Sequence, residues 1–412
     1  MKDIIELSDT LYEASKSIRI LRNVSWDASV ADTFFAHKAQ KLPEVSYPKV
    51  DVSETHGLLK KARTMIPSHN LVRAWAEEII FDLEQGALLL GCMGTKAFYT
   101  HSDKLYGSPK TVLLDGVSNS LDLANHFEKM YQNIGALDLG APPDACILAE
   151  QVVMQITGAV KKAFGNQAPE VYIDNTIASN AIAGRQRIRI RGTACFSDKD
   201  IDQLIHHEAF IHVATSINGK NQDKLKILSA AHPGTTKTQE GLAVFAEFIT
   251  GTIDLDRLRR LSDRIVAIQM AIDGADFIEV FNFYLTRTDS QDQAFESTRR
   301  VFRGGVITGG APFTKDIVYL DGLLRVHNFL RIMVKQGRAD LMKLLFVGKL
   351  DLTDIPVINM FHKEGLIKDP EFLPPWMKDM RFLLTYLAYS SFLNSVKLSS
   401  MKVHYDKIFA EM

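Results

Sequence analysis

His206-His207-Glu208-Ala209-Phe210-Ile211-His212 sets two imidazoles and a carboxylate in one short segment of this chain. Read from His207 it is H-E-x-x-x-H, one residue longer than the H-E-x-x-H in which two histidines on one helix face hold zinc beside a general base. The extra residue has a geometric consequence. On a 3.6-residue helix, positions i and i+5 are about 140° apart, against about 40° for i and i+4. His207 and His212 can therefore share a metal only if the helix is widened, as in a π-bulge, a distortion that tends to occur at functional sites. The segment is predicted to be helical and irregular between Glu208 and His212. Glu208 then faces the metal-bound water as general base and is not a ligand. His206 is a neighbour, structural or substrate-facing.

On the N-terminal side the period changes. Arg187-Ile188-Arg189-Ile190-Arg191 alternates strictly, the mark of a half-buried strand, and Val171-Tyr172-Ile173-Asp174 is a second strand candidate. Ser197-Asp198-Lys199-Asp200 reads as a capped helix start with acids in the first turn, and Ile201, Leu204 and Ile205 lead into His207. Elsewhere the apolar spacing is helical, at residues 3–23, 71–90, 121–134, 146–164, 238–250, 255–271, 276–286 and 291–302. A polar, proline-marked strap ends at Pro48, and Thr95–Ser118 reads as loop with short strand candidates. The expected fold is α+β and predominantly helical, with a small antiparallel sheet next to the zinc-binding helix. Its expected parts are an N-terminal helix and strap (1–50), a helical subdomain (51–165), a zinc-binding core (166–336) and a C-terminal helical region (337–412) in one compact unit.

Two histidines do not close a catalytic zinc site, which takes three protein ligands and a water. Thr238-Gln239-Glu240-Gly241-Leu242-Ala243 is a Thr-capped helix start with a lone acid among small and apolar residues, and Glu240 is the expected third ligand. Glu247, two turns on, is placed to accept from a ligand imidazole. The plainer reading is that Glu240 is a first-turn acid favoured by the helix dipole.

The 412 residues carry 48 Lys+Arg against 49 Asp+Glu, with 46% apolar residues, so bulk charge gives no reason to expect nucleic-acid binding. No apolar run is long enough to span a bilayer. Cys92, Cys146 and Cys195 are far apart and odd in number, which suggests neither a disulfide framework nor a cysteine metal site, and a reducing, cytoplasmic setting is expected.

The motif segments together resemble the bacterial QEGLA-motif family, whose members are labelled flavohemoglobin expression-modulating proteins and are related to the microtubule-associated tyrosine carboxypeptidases. The resemblance runs from about Phe35 to Leu330 and includes Lys41-Leu42-Pro43, Ile173-Asp174, Ala183-Gly184, Asn218-Gly219 and Phe313-Thr314-Lys315-Asp316 with Val318-Tyr319-Leu320. It implies a zinc metallopeptidase of the glutamate-zincin type, with ligands at His207, His212 and Glu240 and Glu208 as catalytic acid/base.

A carboxypeptidase needs donors for the substrate's terminal carboxylate, for which guanidinium is well shaped. Arg299 and Arg303 are an i, i+4 pair, as are Lys315 and Tyr319. Arg303 and Lys315 are the expected carboxylate binders, with Arg299 beside them. Tyr319 is a candidate donor to the developing oxyanion, and His232 a second. The plainer reading makes these residues a solvated, ion-paired face. The Arg187–Arg191 strand is a candidate for pairing with an extended peptide, or is simply a charged edge strand. The expected activity is zinc-dependent removal of a C-terminal residue from a peptide or protein, by Glu208-assisted attack of zinc-bound water. Two alternatives stand beside it: a zinc dipeptidyl- or aminopeptidase, and a non-catalytic regulatory protein with a structural metal. Residue spacing says nothing about oligomeric state.

Overall fold

Helix formation follows the apolar stripes. In the computed structural model, which describes residues 2–134, 146–175, 177, 180–184, 186–288 and 290–410, α1 (Lys2–Ser15) buries Ile4, Leu7, Leu11 and Ala14 at i, i+3, i+7 and i+10. α2 (Asn70–Gly91) buries residues along most of its length. Residues 42–52 run between them without regular structure. Tyr47 ties this strap to the body: its hydroxyl accepts from the Trp26 indole at 2.9 Å and from the Gly304 N–H at 2.7 Å.

The first part of the loop expected at Thr95–Ser118 is helix, Lys96–Tyr106, and the rest is loop with an isolated bridge between Val112 and Asn119. Its buried residues, Phe98, Ser102, Leu105 and Tyr106, are helically spaced but interleaved with polar ones, which hides the stripe in the sequence. Gly107, at φ +79°, ends it.

After α3 (Ala149–Phe164) come β1 (Glu170–Ile173), β2 (Ala181–Ala183) and β3 (Arg187–Ile190), in the spatial order β1-β3-β2. The sheet is mixed, not antiparallel as expected: β1 and β3 are parallel, β2 and β3 antiparallel. Period-2 alternation specifies which face is buried, here Ile188 and Ile190, and carries no information about the direction of a partner. β3 is also central, so the Arg187–Arg191 segment is neither an edge strand nor free to add a peptide.

The motif helix α4 spans 198–220. Ser197 caps it reciprocally, its Oγ accepting from the Asp200 N–H while the Asp200 carboxylate accepts from the Ser197 N–H. Then follow α5 (Thr236–Ile249), α6 (Leu255–Ile272), α7 (Gln291–Phe302), α8 (Val318–Lys335), α9 (Arg381–Leu393) and α10 (Leu398–Phe409). One large hydrophobic cluster draws on residues from Ile4 to Leu387. A smaller one joins α3, the sheet and the sheet-facing side of α4, through Val152, Ile156, Ile188, Ile190, Ala209 and Val213. Ile211 belongs to the large cluster, so the motif helix is clamped between two cores.

The expectation of unpaired cysteines is overturned. Cys146 and Cys195, 49 residues apart, form a disulfide, and Ile147 and Phe196 pair beside it. The bond ties the entry to α3 to the segment just ahead of α4. Sequence spacing could not reveal it, because a disulfide depends on which segments lie side by side; here the two Cα atoms are 4.9 Å apart. No helix among the described residues is long and apolar enough to cross a membrane.

Candidate metal and active site

α4 is irregular where the sequence requires it: Ile205–Val213 is π-helical, between regular α-helical turns on either side. The wider turn swings His212 onto the His207 side, and the two ring centroids lie 5.0 Å apart. The Glu240 Oε2 of α5 lies 3.7 Å from His207 Nε2 and 3.6 Å from His212 Nε2. Ligands at about 2.1 Å around a tetrahedral ion are separated by roughly 3.4 Å. The spacing therefore fits one small ion, and two imidazoles with a carboxylate are a donor set suited to zinc. Among the described residues this is the one cluster of three such groups within reach of a common ion.

The groups around the cluster orient it. Glu247, fully buried on α5, accepts from His207 Nδ1 at 2.6 Å, which leaves Nε2 facing the cluster. Glu247 is held in turn by Arg257 through two bonds of 3.0 Å and by Gln203 at 2.8 Å. Burial opposes charge on the His207 ring, but the bonded Glu240 and Glu247 outweigh it and hold its pKa up at about 10. A site that favours positive charge so strongly suits a divalent cation. The second oxygen of Glu240 accepts from Lys315 Nζ at 3.0 Å. Burial raises the Glu240 carboxyl, yet Lys315 and the two imidazoles hold it well below its usual range.

Glu208 also meets the sheet, where its Oε2 accepts from the Ala183 N–H at 3.1 Å. That donor is available because the Gly184 N–H and the Asn180 carbonyl are the groups of this strand bonded to β3, so the alternate Ala183 N–H points outward from the ladder. The outer edge of β2 thus meets the π-helical segment.

Of the residues expected to handle substrate, Lys315 and Tyr319 lie at the cluster. The Tyr319 hydroxyl is 3.5 Å from both Lys315 Nζ and Arg300 Nη2, and the Arg264 guanidinium lies 4.8 Å from its ring centroid. Burial and Glu240 raise the phenol, but Lys315 and Arg300 outweigh them and bring it below the usual tyrosine value. Arg303 is half-buried against Phe313, 5.7 Å from the ring centroid, and its Nε has no hydrogen-bond partner among the described residues. Burial, with Arg300 nearby, lowers it to about 10. Arg299 is instead engaged by Glu296. His232 lies in the turn before α5, buried, with burial lowering it to about 4 against the pull of Asp351. His206 packs on Phe210.

Sequence reasoning missed two cations. Arg300 makes a two-pronged pair with Asp316 at 2.6 and 3.0 Å and so braces the start of α8. It lies between Arg299 and Arg303, whose i, i+4 spacing drew attention past it. Lys349 donates to the His212 carbonyl at 3.1 Å and to Gln239 Oε1 at 2.8 Å. Burial brings it down to about 8 against the pull of Glu240 and Glu208. Nothing local marks Lys349, which reaches the site because its own N–H bonds to the Leu228 carbonyl.

Comparison with curated proteins finds no match. The family model described as microtubule-associated tyrosine carboxypeptidase matches residues 32–395, which include α4, α5 and the basic residues around Tyr319. With a match over most of its length, and with His207, His212, Glu240 and their braces inside the matched region, this chain belongs to the microtubule-associated tyrosine carboxypeptidase family.

Proposed function

We propose that this chain is a zinc-dependent carboxypeptidase that removes a C-terminal residue from a peptide or protein. The observation that carries the reading is the excess of cations near the triad: buried Lys315 and half-buried Arg264, Arg300 and Arg303, with Asp316 and Glu240 as their acidic partners. A guanidinium with a buried, unused donor, as in Arg303, is costly unless a ligand completes it, and a substrate carboxylate does so. Lys315, bonded to Glu240, is better placed to hold that carboxylate than to bind substrate. Recognition of the terminal carboxylate therefore falls to Arg303, with Arg300 behind it.

His207, His212 and Glu240 would hold zinc, which when bound polarises a scissile carbonyl and acidifies water. Glu208, steadied by the Ala183 N–H, takes a proton from the attacking water and passes it to the departing amine. Tyr319, with a phenol made more acidic by its neighbours, donates to the oxygen on which negative charge develops. Glu247 and Arg257 fix the His207 ring so that Nε2 faces the site.

The test is mass spectrometry of a peptide library varied at its C-terminal residue, tyrosine included, after incubation with zinc-loaded protein. Stepwise loss from the C-terminus is expected; loss from the N-terminus or internal cuts would overturn the reading. In parallel, Glu208→Gln should retain zinc and lower the rate by about 10²–10⁴-fold, whereas Glu240→Ala should lose zinc. Unchanged cleavage by Glu208→Gln would refute its role as base.

A further inference from the structure

The two helices that close the described chain each expose an apolar seam. On α9, Leu383 and Leu387 are buried against the body and Tyr386 packs there too, its hydroxyl 3.2 Å from His327 Nε2, while Phe382, Tyr389, Phe392 and Leu393 are exposed on the sides turned from it. Arg381 is the one charge in this helix, so its outward surface, where Phe382, Tyr389, Phe392 and Leu393 stand, is largely apolar. A contiguous apolar surface of this kind is normally covered.

On α10 no residue is buried. Its apolar residues Leu398, Met401, Tyr405 and Ile408 fall at spacings of three, four and three, the a/d pattern of a helix-pairing seam. An isolated helix of this length is marginal in water, so α10 needs a surface to pack on. It does not take the one that α9 offers within the same chain. The family match ends at residue 395, so α10 lies beyond the matched region.

We infer that α9 and α10 form a homodimer interface in which the seam of α10 from each copy packs on the uncovered seam of α9 from the other. One chain carries both halves of the contact, an uncovered face and an unseated helix, and reciprocal exchange between two copies satisfies both with two-fold symmetry. The area suffices. Phe382, Tyr389, Phe392, Tyr405 and Phe409 are between 52% and 66% exposed. At about 200 Å² for each aromatic side chain, they offer roughly 600 Å² per copy and roughly 1,200 Å² for the pair, above the roughly 1,000 Å² that a specific interface needs. This inference is independent of the proposed peptidase activity.

The test is sedimentation equilibrium of the full chain, of Leu398→Glu/Tyr405→Glu, and of Tyr389→Arg. These side chains are exposed, so the variants should fold, which far-UV circular dichroism checks. The parent chain is expected to be a dimer at micromolar concentration, and either variant to weaken dimerisation at least about tenfold. A monomeric parent chain overturns the inference, as does a dimer unaffected by both variants. Co-sedimentation with vesicles containing phosphatidylserine is measured alongside. A monomer that binds those vesicles through α10 would assign the seam to a lipid surface and overturn the inference in favour of that partner.

Discussion

Replacing Gly241 by alanine tests how Glu240 is positioned. Gly241 on α5 and Gly322 on α8 are where the two helices cross, backbone against backbone. A Cβ added at Gly241 would lie 2.3 Å from the carbonyl carbon and oxygen of Gly322 and 2.7 Å from its Cα. Ordinary contact begins at 3.4 Å, so the helices must part by about 1 Å, and a backbone neighbour cannot swing aside as a side chain would. Overpacking of this kind costs about 1–3 kcal/mol, opposed by the roughly 1 kcal/mol that Gly→Ala normally gains inside a helix. With backbone on both sides the upper end applies, for a net loss of about 2 kcal/mol. Because Glu240 adjoins Gly241, the same displacement should draw Oε2 from the two imidazoles and weaken zinc binding by roughly 10–100-fold, as loss of an orienting partner does. Urea unfolding followed by circular dichroism reads the first effect, and competition with a chromophoric chelator the second. Gly158→Ala is the control. Gly158 lies inside α3 with nothing within 4 Å of an added Cβ, so it should gain up to about 1 kcal/mol. If Gly241→Ala is as stable as the parent chain and binds zinc equally well, the close crossing is not what places Glu240.

Three further outcomes are expected. Glu247→Gln leaves buried Arg257 without its carboxylate, at a cost of about 3–5 kcal/mol, and should weaken zinc binding roughly 10–100-fold; zinc titration with an unchanged affinity would show that the His207 ring needs no such support. Replacing Cys146 and Cys195 by serine should cost about 2–4 kcal/mol by opening the loop between them, measured by thermal melting under matched conditions; an unchanged melting temperature would mean the bond contributes nothing to stability. Burial, then the nearby Glu78, Asp351 and Asp354, push the Asp82 carboxyl up to about 8 despite Lys237. A folded-state pKa above the unfolded one means that the folded state holds the proton longer, so stability is full below about pH 4 and falls as pH rises through about 8. Asp82→Asn should flatten that part of the profile in urea unfolding at pH 5 and pH 8, and a profile of unchanged slope would exclude Asp82 as its source.

The motif helix shows what can be read locally. His207, Glu208 and His212 are close in sequence, and their spacing alone demands a widened helix, because the angle between positions i and i+5 leaves no other way to share an ion. Ser197 and Asp200 likewise carry their cap within four residues. Glu247 was legible for a similar reason, lying two turns from Glu240 on one helix. The helix at Lys96–Tyr106 was hidden because polar residues interrupt its stripe, and the direction of the sheet strands was hidden because alternation is blind to it.

Chain order alone thus determined the helical character of the protein, the distortion of α4 and that His207 and His212 can share an ion, since each follows from the fixed geometry of a helix over a few residues. That Glu240 of α5 joins them was an expectation which the packing of α5 on α4 decided. Only the tertiary structure decided which cations stand at that site, that Lys315 bonds Glu240 while Arg299 is spent on Glu296, that His232 is buried near Asp351, and that Cys146 meets Cys195. Those outcomes depend on which segments pack together, and packing between distant segments is set by the fit of whole faces and cores, which no short stretch of sequence contains.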